Sequence, residues 1–287
     1  MDILISGLLL GGTYALIAMG LTLQYGVARI MNLANGEVLV MGALASFLVY
    51  TSLAVSPLVT VLVIAPLAFA LSWLVYRVLL LPLVRRAKNQ GQLEVDSILA
   101  TFGMGFFLVG VMVFIYPELF AYSYLAVPVD LAGTTVAANR LVAFAGAVVI
   151  GLALYVWLNR SRAGMAVRAV AVSPLAAGLV GINVERISAL AFAIGGMITA
   201  MGGVLISTFI TLDPSFGVIF TMKALIIVIM GGVGDIRGAI VAALILGIVE
   251  TAVATLIDPG LTLAAAYTIF LLVLLFRPEG LFGRRPA

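Results

Sequence analysis

Glu37, Lys223 and Glu250 each stand among apolar residues, and Asn32 and Asn35 lie just ahead of Glu37. An ionisable side chain at membrane depth costs roughly 2.5 kcal/mol or more, so each is a functional hypothesis by default. A carboxylate, an ammonium and two carboxamides in otherwise apolar surroundings could meet a polar solute crossing the membrane. Lys223 also has a plainer reading. It lies about one turn into its run, so it can snorkel to the interface or pair with Glu250. The missing chemistry narrows the field further. The chain has no Cys and no His. That excludes disulfides, thiolate nucleophiles, Cys/His zinc sites, haem attachment and imidazole acid–base catalysis. An intramembrane hydrolase would need a Ser–Lys or carboxylate pair, and nothing around Ser207 and Lys223 forms such a motif. No G-x-x-x-x-G-K-[ST] loop occurs, so the chain carries no phosphate cradle of its own. An ion-coupled secondary transporter would need a titratable carboxylate such as Glu37 or Glu250 at mid-membrane.

The elements that must position these groups are membrane helices. Of 287 residues, 64% are hydrophobic and 9% charged, against about 45–50% and 25% in soluble domains. Mean hydropathy is +1.29. About 20 apolar residues span the hydrocarbon layer as a helix. The charge-free runs 3–28, 38–76 (two crossings, with a turn at Ser56-Pro57), 97–117, 141–159, 187–212 and 259–276 are candidate spans. Residues 224–234 and 238–249 are shorter. The expected fold is an all-α polytopic membrane protein of eight to nine helices in a single domain, 1–287. The first run lacks a basic n-region and a cleavage site, so it reads as a span and not a signal. Gly7, Gly11 and Ala15 form a small-residue stripe. So do Gly196, Ala200, Gly203 and Ser207, and Ala239, Ala243, Gly247 and Thr251. Such stripes let helix backbones approach closely in lipid.

Positive charge orients the bundle. Basic residues gather at Arg85, Arg86 and Lys88, at Arg160, Arg162, Arg168 and Arg186, and at Arg277, Arg284 and Arg285. The alternate loops carry Glu118, Asp130, Asp213 and Asp258. The basic loops and the C-terminus are therefore expected in the cytoplasm.

Two interruptions break the apolar pattern. The first places Asn32, Asn35, Gly36 and Glu37 between two spans. The second is Gly231-Gly-Val-Gly-Asp-Ile-Arg-Gly238. Either could be a broken helix lining a path or a cytoplasmic turn that uses glycine's freedom, with Asp235 and Arg237 as a surface ion pair. The long basic loop, about 160–186, reads as a short helix over 163–172. A second follows, capped by Ser173 with Pro174 at its first position and ended by Gly181. Asn183 caps the next span. Met165, Leu175, Leu179 and Val180 give the loop an apolar face. A partner could dock there, or the loop could lie on the membrane surface.

Taken together, several segments resemble permease subunits of bacterial branched-chain amino acid ABC importers, of the LivH type. They are Gly-Gly-Thr-Tyr-Ala-Leu-Ile-Ala-Met-Gly-Leu-Thr-Leu near the N-terminus, Ile30-Met-Asn-Leu-Ala-Asn-Gly-Glu37 with Met41-Gly-Ala, and Gly164-Met-Ala-Val-Arg-Ala-Val through Gly181-Ile-Asn-Val. The glycine motif 231–238 and the tail Arg277-Pro-Glu-Gly-Leu-Phe-Gly283 complete the set. The resemblance implies a subunit without catalysis or cofactor in the bacterial inner membrane. It would carry a branched-chain or related amino acid. A second permease, two cytoplasmic ATPases and a periplasmic binding protein would be its partners, and no nucleic acid. Relatives carry urea, short amides or aromatic acids. It also implies that the loop docks the ATPase, with Gly164, Arg168, Pro174, Gly178 and Gly181 as coupling positions. Two departures stand out. Asn35 replaces a usual His, and the usual acidic residue near Ser173-Pro174 is absent. Candidate path residues are Asn32, Asn35, Glu37, Lys223, Gly231 and Gly232.

Overall fold

The computed structural model describes residues 2–122, 124–131 and 134–283. Arg284 and Arg285 of the third basic cluster lie outside them. Among the described residues, nine helices are long and apolar enough to cross a membrane. We number the helices α1 (Asp2–Ala28), α2 (Asn35–Leu53), α3 (Pro57–Arg86), α4 (Gln90–Ile115), α5 (Ala138–Arg160), α6 (Arg162–Val172), α7 (Pro174–Leu179), α8 (Val184–Ile206), α9 (Gly217–Gly231), α10 (Ile236–Leu256) and α11 (Thr262–Phe276). Short 3-10 turns at Pro214–Phe216 and Pro259–Leu261 lead into α9 and α11. One feature departs from the all-helical expectation. Between α4 and α5, strands β1 (Pro128–Leu131) and β2 (Thr134–Ala137) pair antiparallel. Their valines and threonines suit a short hairpin, but a run too short for a helix gave no periodicity to read.

Small residues set the packing. A Cβ on Gly7 would come within 2.6 Å of Ile248 Cα, and one on Gly11 within 2.7 Å of Leu244 Cα. The stripe of α1 therefore lies directly on that of α10. On α8, Gly203 faces the Leu39 carbonyl of α2 and Gly196 faces Ser72 of α3. Backbone contact this close supplies the van der Waals attraction that hydrophobic burial cannot supply between helices in lipid. Helices α1 and α8 form the centre, with two-thirds or more of their best apolar windows buried, whereas α3, α4, α5 and α11 present most of their surface outward.

The chain alternates between two ends. One carries Arg29, Arg86, Lys88, the 161–183 segment, Arg237 and Arg277. The other carries Glu118, Asp130, Asp213 and Asp258. At the basic end, side-chain caps punctuate the loop. Ser161 accepts from Gly164 N, Ser173 from Ala176 N and Asn183 from Arg186 N. Gly181 takes φ +84° where α7 ends. The expected two-helix loop is present with its expected caps.

Candidate functional site

The first interruption is a broken helix. Residues 29–34 are irregular, and Arg29 begins the break with φ +56°. Contacts fix its depth. Leu33 N–H donates to Thr101 Oγ1 (3.0 Å), near the middle of α4, and Asn35 Oδ1 accepts from Thr199 Oγ1 (3.1 Å), past the middle of α8. The start of α2 therefore lies well inside the bundle. Irregular backbone at that depth must find its partners in protein, and side chains from three helices provide them. Gln24 of α1 accepts from Asn32 Nδ2 and donates to the Phe192 carbonyl. Thr101 of α4, whose hydroxyl accepts from Leu33 N–H, donates to the Ser97 carbonyl of its own helix (2.7 Å) and lies 3.2 Å from the Met31 carbonyl. Thr221 of α9 donates to the Leu33 carbonyl (3.1 Å) and accepts from Gly36 N–H (2.8 Å). Asn32 Oδ1 accepts from Ala34 N–H. Thus Asn32 supports the break, and Asn35 faces α8.

Glu37 points elsewhere. It is 2% exposed, and its Oε2 has no hydrogen-bond partner among the described residues. Thr221, whose hydroxyl proton goes to the Leu33 carbonyl, lies close to the carboxylate. The first turns of α2 and α9 meet here: a Cβ on Gly36 would fall on the Gly217 carbonyl, and one on Gly217 within 2.9 Å of the Glu37 side chain. Glu37 lines a pocket of about 170 Å³ with Leu33, Phe102, Gly105, Phe106, Val218 and Met222. Two helix N-termini, each carrying partial positive charge, converge on this carboxylate.

Lys223 is not beside Glu37. Its ammonium donates to Glu250 Oε2 and to the Tyr14 hydroxyl, each at 2.7 Å, and the Tyr14 hydroxyl donates to the same carboxylate oxygen at 2.9 Å. Both members of the pair are nearly buried, and they line a separate cleft of about 450 Å³ with Ser6, Arg140, Thr251 and Thr262. Of the two readings of Lys223, the pair with Glu250 is the one present. Ser207 bonds Tyr122 Oη and the Val204 carbonyl instead of approaching the lysine. Burial pushes the Tyr122 phenol above its ordinary pKa.

The second interruption is a tight turn. Asp235 caps α10, accepting from Arg237 N and Gly238 N, so this carboxylate is a cap and the expected Asp235–Arg237 surface pair is absent among the described ion pairs. The tail straps onto it. Leu281 N donates to the Met230 carbonyl and Phe282 N to that of Gly231. A Cβ on Gly232, whose φ is +107°, would meet Gly283 N at 2.8 Å, and one on Gly231 would meet Gly238 at 2.5 Å. Gly231 and Gly232 are therefore held apart from Asn32, Asn35 and Glu37, and close backbone packing accounts for them. Sequence reading missed Gln24, Thr101, Thr221 and Gly217, which build the site. Threonines in a span carry no signal until their partner is known.

Comparison with known proteins follows the same outline. The profile "Branched-chain amino acid transport system / permease component" matches residues 3–277. The chain is 31% identical over 291 residues to the high-affinity branched-chain amino acid transport system permease protein BraD of Pseudomonas aeruginosa, covering 98% of this chain and 95% of that one. It is 32% identical over 295 residues to the corresponding LivH of Escherichia coli, covering 97% and 94%. Among solved structures, PsaBC from Streptococcus pneumoniae in complex with Fab shares the fold, with a TM-score of 0.51 at 13% identity over 98% of this chain and 94% of that one. The chain is a multi-pass membrane protein that belongs to the branched-chain amino acid transport system permease family.

Proposed function

We propose that this chain is the membrane subunit through which branched-chain or closely related amino acids cross the bacterial inner membrane, in an importer driven by two ATPase partners. A second permease completes the path, and a periplasmic binding protein delivers the cargo. The observation that carries this reading is the 31–32% identity to BraD and LivH over nearly their full length. The broken helix at membrane depth adds support, since interrupted helices of this kind hold transport sites.

In this reading the basic end faces the cytoplasm, and the ATPase grips α6 and α7. Val172, Leu175, Leu179 and Val180 are each more than three-quarters exposed there, which suits an apolar docking surface. Arg168, Pro174, Gly178 and Gly181 lie on the same segment. Gly164 lets α6 fold back onto α5, since a Cβ there would meet the Trp157 carbonyl at 2.4 Å. Arg29 Nη2 donates to the Ala171 carbonyl of α6. A rigid-body push on the loop would thus reach the break directly. The path itself runs past the start of α2, where Asn32 holds the backbone, Asn35 bonds Thr199 of α8 and Glu37 faces the cargo.

The test is purification of the tagged chain from its native membrane in mild detergent, then uptake of labelled leucine by the isolated assembly in liposomes. Two ATPases, a second permease and ATP-dependent uptake are expected. A chain that lacks ATPase partners and transports under an ion gradient alone would overturn the reading.

A further inference from the structure

We infer that the pocket between α2, α4 and α9 is the subsite that receives the cargo's α-ammonium and aliphatic side chain, with the Glu37 carboxylate as its counter-charge. This rests on the reading of the chain as an amino acid permease. The argument begins with elimination. Of the buried charged residues within the spans, Glu37, Lys223 and Glu250, the last two neutralise each other. Asn32 and Gln24 are committed to the break. Asn35 Nδ2 and Glu250 Oε1 are also unpartnered, but Asn35 carries no charge and Glu250 already has its cation, whereas Glu37 keeps a buried oxygen with no partner on the wall of a cavity and has no ion pair among the described residues.

An uncompensated carboxylate at this depth is costly, and two helix N-termini offset part of that cost. The N-termini of α2 and α9 set partial positive charge against it. Neither is a mobile cation, so the carboxylate stays open to one. Gly105 supplies the approach from the α4 side, since even a Cβ there would lie 3.6 Å from the carboxyl carbon. The remaining walls are apolar. Phe102 and Phe106 stand edge to face at 4.9 Å, with Val109, Val218 and Met222 beside them. Aromatic faces attract an ammonium, and the aliphatic walls match a branched side chain. Phe102, Phe106 and Val218 are at least half exposed, so the pocket opens on the outward face of α4 and α9. Acidic amino acids would be repelled by the same carboxylate.

Because the chain has no cysteine, a single introduced thiol, read on this chain after separation of the subunits, reports on the pocket without background from the chain itself. Val109→Cys in the assembled transporter is treated with a cationic (ethylammonium) and an anionic (ethylsulfonate) methanethiosulfonate. With Glu37 present, the cation-to-anion rate ratio is expected to exceed that in the Glu37→Gln background by roughly tenfold or more, the size of effect that a charged cleft produces. Leucine delivered by the binding protein slows labelling, and Glu37→Gln lowers leucine uptake at least tenfold. Gly105→Leu keeps the carboxylate but fills the pocket beside it, and cuts uptake of leucine more than that of alanine. A thiol that no aqueous reagent reaches, a ratio indifferent to Glu37, or normal uptake by Glu37→Gln would overturn the subsite and leave the permease reading standing. Ammonium preference with protection by a different amine-bearing solute, and none by leucine, would keep the carboxylate as an ammonium site and overturn the amino acid reading.

Discussion

Glu37 and Glu250 are equally buried, each 2% exposed, and their surroundings differ in kind. Glu250 lies against an ammonium and a phenol that neutralise and hold it. Glu37 faces a cavity with helix N-termini behind it and, among the described residues, no cation paired with it, while each glutamate keeps one oxygen without a hydrogen-bond partner. Both meet the rule that a charge inside a membrane signals function, yet only one has its charge left over. Burial identifies the candidates, and the presence or absence of a counter-charge separates a structural pair from a site.

The largest expected effect tests the paired side. Lys223→Met leaves Glu250 buried without its cation, which costs about 3–5 kcal/mol. Thermal unfolding in detergent should show a marked loss. Combining it with Glu250→Leu removes the stranded charge and should recover most of that loss, because apolar replacement of a whole buried pair is often neutral or better. A single variant as stable as the parent would mean that Lys223 reaches water when Glu250 is not holding it, and the contrast between the two glutamates would collapse.

The next effect concerns the scaffold that sets the depth of Glu37. Thr101→Val keeps the shape and removes the hydroxyl that accepts from Leu33 N–H. Leaving such a buried donor unmatched costs about 1–3 kcal/mol. Hydrogen exchange at Leu33 should accelerate along with the fall in stability. Unchanged protection at Leu33 would show that the break is held without α4.

Much of this architecture was legible because membrane helices announce themselves by length and charge spacing. The turn at Ser56-Pro57, the capped loop with Ser173, Gly181 and Asn183, and the small-residue stripes of α1, α8 and α10 each follow from a local rule. The polar site was legible only in part. Asn32, Asn35 and Glu37 stood out by type. Which of them supports backbone and which faces a cavity depends on Gln24, Thr101 and Thr221, residues far apart in sequence that meet through packing. The glycines at 231 and 232 were ambiguous for the same reason. Their partner is the tail, and a Gly-rich break reads alike whether it lines a path or packs on Gly280 and Gly283. The Val- and Thr-containing hairpin escaped because four-residue strands have too few turns of pattern.

A smaller effect comes from a third carboxylate that is spent locally. Asp235 accepts two backbone N–H groups at the start of α10. Asp235→Ala should cost about 1 kcal/mol, the usual worth of an N-cap, and Asp235→Asn should cost little, since Asn caps as well as Asp. Unfolding of the two variants side by side checks this. Equal losses would show that charge matters at 235, and that the turn under the tail is more than a cap.

The smallest expected change in stability is the one that sharpens the contrast most. Glu37→Gln conserves shape and removes a carboxylate with no paired cation among the described residues, so stability should hold or rise under the conditions used for Lys223→Met. The physical reason is asymmetry. Removing one member of a buried pair strands the other, whereas removing a lone charge strands nothing and relieves its desolvation. A loss as large as that of Lys223→Met would mean that Glu37 is held by a partner within the bundle, and its free oxygen could no longer be offered to a cargo. Held stability with lost uptake is the combination that a structural carboxylate cannot produce.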